Sequence, residues 1–106
     1  MGNMIRVAEV SDLPVGGVKK VSLEDVDIAI FNIGGELYAI GDTCTHEQAS
    51  LSEGDLDGDN ISCARHGATF NIKTGEVVAL PAVMPVPIYR VKVEGKDILL
   101  EVPDDK

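Results

Sequence analysis

Both cysteines and both histidines of the chain fall within residues 44–66, as Cys44-x-His46 and Cys63-x-x-His66. Sixteen residues separate His46 from Cys63. A fold for this sequence must therefore bring two short segments together, each carrying one sulfur and one nitrogen donor. Four soft or borderline ligands in two pairs point to a metal site. A disulfide between the cysteines would strand both histidines. The N-terminus also lacks the apolar stretch of an export signal, so thiolate ligation in a reducing, cytoplasmic setting is expected instead.

The rest of the chain reads as scaffold for these two segments. At 106 residues it is sized for one domain over 1–106. Helical periodicity is nearly absent; short apolar alternations separated by turn signals recur instead. Strands are expected at Met4–Val10, Val18–Leu23, Val26–Phe31, Glu36–Ile40, Asn60–Ser62, Ala68–Ile72, Glu76–Leu80, Ile88–Glu94 and Asp97–Val102. Val26–Phe31 is read as alternating and half-buried. Gly34-Gly35, Lys73-Thr74-Gly75 and Glu94-Gly95-Lys96 mark hairpins, because glycine takes positive φ without steric cost. The fold class is all-β, an antiparallel sandwich or barrel. Residues 42–80 form a metal-binding insertion between scaffold halves 1–41 and 81–106.

Composition removes several functions. Eighteen acidic against nine basic residues give a formal charge of −9. Such a field repels nucleic acid and anionic membranes and suits a partner with a basic docking patch. No apolar run approaches the ~20 residues of a spanning helix. Asp55-x-Asp57-x-Asp59 has the look of a calcium loop. Its glycine, however, precedes the third acidic residue and no helices flank it, so it is read as solvated surface. A catalytic iron site of two histidines and a carboxylate would need further histidines, and no nucleophile has a free histidine base.

The ligand order leaves two metals open. Zinc accepts two cysteines and two histidines, although fingers group like with like. A two-iron centre with two thiolates on one iron and two imidazoles on the other fits the mixed pairs directly. In full, the pattern resembles the Rieske [2Fe–2S] motif. Ser50-Leu51-Ser52-Glu53-Gly54, Leu56-Asp57-Gly58-Asp59, His66-Gly67, Phe70-Asn71-x-x-Thr74-Gly75 and the proline-rich 81–87 follow it in register. The whole length is similar to the Rieske-type ferredoxins of bacterial aromatic-ring-hydroxylating dioxygenase systems.

That resemblance implies one [2Fe–2S] cluster, with Cys44 and Cys63 on the inner iron and His46 and His66 on the outer. It implies a one-electron carrier, not an enzyme. The carrier would take electrons from a reductase, flavin-containing by the same resemblance, and pass them by transient docking to a terminal oxygenase. A small subunit of another redox enzyme, such as nitrite reductase, is the related alternative. A zinc-stabilised interaction module is the alternative of a different class. Relatives of high potential carry two clip cysteines, where this chain has Ala49 and Arg65. They also carry serine and tyrosine donors, where it has Ala68 and Phe70. A low potential, nearly independent of pH around neutrality, is expected. Val83 and Met84, with Ala49, are expected to form an apolar collar around the histidines; Leu51 could join it but is read as packing against the ligand segments.

Overall fold

The computed structural model describes residues 2–22, 27–42, 51–62, 68–79 and 86–103. Its eleven strands among these residues lie in three antiparallel sheets. The first sheet joins β1 (Gly2–Glu9), β11 (Asp97–Pro103) and β10 (Val91–Glu94), in that order. The second runs β2 (Val18–Ser22), β3 (Asp27–Ile33), β4 (Glu36–Gly41) and β9 (Ile88–Tyr89). The third is the sequential meander β5 (Asp55–Asp57), β6 (Asn60–Ser62), β7 (Thr69–Asn71) and β8 (Val77–Ala79).

The second sheet is the middle layer, and β3 is its clearest signature. Ala29 and Phe31 enter one core with Ile40, Leu51, Ile61, Ala68, Phe70, Ile72 and Val86. Ile28 and Ile30 enter the other with Ala8, Leu13, Ala39, Ile98 and Leu100. Successive side chains of a strand point to opposite faces, so β3 serves both cores at once. This corrects the half-buried reading of Val26–Phe31. The unbroken apolar run Ile28–Phe31 is the mark of a strand covered on both sides.

Two further expectations change. Ile88–Glu94 is not one strand: Ile88 and Tyr89 pair with Ile40 and Ala39, whereas Val91–Glu94 pairs with β11. The chain passes from one sheet to the next at Arg90. β5 was absent from the sequence reading because aspartate and glycine are depleted in strands. Here Leu56 pairs with Ile61 and packs on the core, while Asp55 and Asp57 face solvent. The hairpin at Gly34-Gly35 forms as expected, with both φ values positive (62° and 98°) and Ile33 opposite Glu36.

Leu51, read as packing against the ligand segments, opens a short 3-10 turn (Leu51–Glu53) and is 0% exposed within the core of the third sheet. The turn reverses the chain immediately before β5 and drives this side chain inward. Leu51→Ala is expected to cost about 2–5 kcal/mol, the range for emptying a packed leucine site, measured by chemical denaturation.

Candidate metal centre

Cys44, His46, Cys63 and His66 lie outside the described residues, as do Ala49, Val83, Met84 and Gly67. What the structure gives is the frame from which they depart. The first ligand segment leaves from Asp42 and returns at Leu51. Leu51 N donates to the Asp42 carbonyl at 2.6 Å, and Ser52 N donates to Asp42 Oδ1 at 2.7 Å. The second leaves from Ser62 and returns at Ala68. Ser62 and Thr69 are paired across β6 and β7, with their hydroxyls 2.9 Å apart.

These two frames touch. Gly54 closes the 3-10 turn by donating to Leu51 O at 3.0 Å. Its Cα lies so near the Ser62 carbonyl that any added Cβ would collide with it. The chain that follows the first segment thus packs against the residue preceding Cys63. Just after the proline-rich stretch, Val86 N donates to Gly75 O at 2.9 Å, and Gly41 N donates to Pro87 O at 2.9 Å. Leu51, Ala68 and Val86, where the chain returns from each segment, share one core with Ile40.

Covalent geometry then limits how far the donors can stray. Each residue adds at most about 3.6 Å of reach. Cys63 follows Ser62 directly, Cys44 is two residues past Asp42 and His66 two before Ala68. Ala68 and Phe70 are both 0% exposed and carry no hydroxyl. Among the described residues no group of three or more His, Cys, Asp or Glu is placed to hold a metal. Asp55 and Asp57 are exposed, and Asp59 lies 3.6 Å from Lys73, in keeping with a solvated acidic surface.

The displaced ionisations belong to the scaffold strands. The Tyr38 hydroxyl donates to Glu36 at 2.6 Å, and this bond, with partial burial, raises the phenol pKa. Lys73 Nζ sits 5.5 Å from the centre of the same ring. Burial raises the pKa of Tyr89, and the hydrogen bond to Asp97 raises that of Arg6. Among the described residues no helix is long and apolar enough to cross a membrane.

A three-sheet antiparallel domain in which two stretches, each with a Cys-His pair in sequence, are flanked by residues of one apolar core has the build of a metal-binding β module. The chain belongs to the Rieske [2Fe-2S] domain family, which its residues 3–90 match. It is 45% identical, over 96% of both chains, to the 3-phenylpropionate/cinnamic acid dioxygenase ferredoxin subunit of Shigella boydii. Sphingomonas yanoikuyae B1 ferredoxin shares its fold with a TM-score of 0.89 and 32% identity, covering 95% of this chain and 100% of that one. A chain in the complex of reduced oxygenase and oxidized ferredoxin in carbazole 1,9a-dioxygenase matches with a TM-score of 0.88 and 36% identity, covering 92% of each. The cofactor is a Rieske-type [2Fe–2S] cluster, and the protein is an electron carrier, not a catalyst.

The sequence reading missed two residues of the frame, Asp42 and Gly54. The available signal for Asp42 was an aspartate at a strand end, a residue type that bonds nearby backbone N–H groups. Gly54 had no signal beyond being glycine.

Proposed function

We propose that the chain is the ferredoxin component of an aromatic-ring dioxygenase system, carrying single electrons from a reductase to a terminal oxygenase in the cytoplasm. The near-full-length identity to a dioxygenase ferredoxin subunit carries this reading. Residues 42–80 are the cluster-binding subdomain of a single domain over 1–106. Cys44 and Cys63 supply thiolates to one iron, and His46 and His66 supply imidazoles to the other. This donor set fits the cluster: two thiolates and two neutral nitrogens, from segments rooted on one apolar core. The bound cluster accepts and releases one electron.

The protein's own residues set the conditions for that exchange. Ala68 and Phe70, which follow the second ligand segment, are fully buried and carry no hydroxyl to offer the sulfurs. Hydrogen bonds to cluster sulfurs stabilise the added electron, so their lack lowers the potential. The midpoint potential is expected at the low end of the roughly −150 to +300 mV range of Rieske centres. Protein-film voltammetry returning a value above about +100 mV would overturn this account of the surroundings.

The functional test is reconstitution. A reductase and a terminal oxygenase of a phenylpropionate dioxygenase system are combined with NADH and substrate, with and without this protein. Substrate-coupled NADH oxidation is expected to depend on the added protein and to saturate with it. If the protein is reduced by the reductase yet never reoxidised by the oxygenase, the carrier serves some other acceptor.

A further inference from the structure

We infer that Asp42 is the positioning residue of the segment bearing Cys44 and His46, with Lys20 as its counter-charge; the inference rests on those two residues being ligands. Asp42 is 2% exposed, and with Asn32 it makes up the buried polar side chains among the described residues. Asn32 has a local task, donating to Leu13 O and accepting from Gly35 N in the adjoining turns. Asp42 instead gathers three elements onto one residue. Its N–H donates to Asp27 O of β3 at 2.8 Å. Its carbonyl and carboxylate receive Leu51 N and Ser52 N, the first amides after the segment returns. Its Oδ2 lies 3.8 Å from Lys20 Nζ of β2, which also lies 3.9 Å from Asp27 Oδ2.

The chain enters the ligand segment from Asp42 and is bonded back to Asp42 on leaving it. Both ends of residues 43–50 are therefore fixed by one side chain and its own peptide groups. Closing a loop this way removes conformers before any metal arrives, so less ordering remains for metal binding to enforce. A carboxylate receiving a backbone N–H makes a charge-assisted bond, stronger than a neutral one. A carboxylate this buried needs compensating charge, and Lys20 provides it from a strand edge that stays half in water. A simpler helix-cap or turn role would need only the Ser52 bond. It would not need the cation, nor a second bond to Leu51, whose side chain is itself locked in the core.

The test compares holo-proteins of the wild type, Asp42→Ala and Asp42→Asn. Asparagine keeps an oxygen for Ser52 N but gives up the charge. Asp42→Ala is expected to release iron to a chelator at least about tenfold faster than wild type, the loss typical of groups that orient metal ligands. Its reduced-state EPR g values are expected to move. Asp42→Asn is expected to restore the g values, while amide exchange at Leu51 and Ser52, followed by mass spectrometry, rises several-fold. A lowered Tm in Asp42→Ala with wild-type g values and iron release would overturn the inference, leaving Asp42 a stabilising residue only. Should Asp42→Ala fail to fold, unchanged exchange at Leu51 and Ser52 in Asp42→Asn would overturn it equally. A Cys44→Ser protein that keeps the wild-type EPR signal would refute the ligand assignment instead, and the exchange data would still judge the clamp.

Discussion

Cys63→Ser is expected to yield a folded, colourless protein holding less than a tenth of the wild-type iron, with no EPR signal after dithionite reduction. The thiolate is the ligand, and a serine hydroxyl does not ionise near neutral pH to replace it. Cys63 stands one residue beyond Ser62, which is fixed by pairing to Asp55 on one side and Thr69 on the other. No neighbouring cysteine can shift into its place, because the chain has only Cys44 besides. The fold should survive in part. The core formed by Ala8, Leu13, Ile28, Ile30, Ala39, Ile98 and Leu100 takes no residue from the third sheet. Circular dichroism should therefore retain β-structure while visible absorption disappears. Wild-type absorption in the variant would remove Cys63 from the ligand set, and a colourless, zinc-loaded wild type would replace the cluster altogether.

Gly54→Ala should be nearly as damaging without touching a ligand. A Cβ there would collide with Ser62 O, come within 3.0 Å of Ser62 C and lie 3.3 Å from Leu51 O. All three are backbone atoms, so no side chain can swing aside. The third sheet must part from the turn that precedes it, at an expected cost of about 3 kcal/mol or more, at or beyond the usual range for overpacking. Gly58→Ala is the matched control. Gly58 has φ +63° but nothing within 4 Å of an added Cβ, so only the left-handed backbone penalty of about 1–2 kcal/mol applies. Urea unfolding of both variants, with iron content measured alongside, checks the order. Equal effects would mean that the contact between Gly54 and Ser62 is readily relaxed.

The difference between these two glycines shows what a sequence can disclose. Gly58, Gly95 and the Gly34-Gly35 pair sit between alternating segments, and their turns were legible because the chemistry is local. All have positive φ. Gly54 looks no different in the sequence, yet its role is set by a carbonyl eight positions away. Asp42 escaped notice for the same reason, since its partners are Lys20, Asp27, Leu51 and Ser52. The ligand pairs were readable because donor chemistry and spacing are written in the residues themselves. The break of the last hairpin strand at Arg90 was not, since both halves have strand-like patterns and only the sheet each one joins separates them. Leu51 was legible as a packing residue, but its destination was not, since the core it enters comes from β3, β4, β6 and β7.

The strand β3 acts as a party wall between two otherwise separate rooms. Each outer sheet buries its apolar side against that partition, so neither is covered without it. Fraying of β1 from β11 leaves the partition standing, and the iron with it. Loosening of β3 breaches both rooms together, so the resting lifetime of the cofactor is tied to a strand that holds none of its ligands.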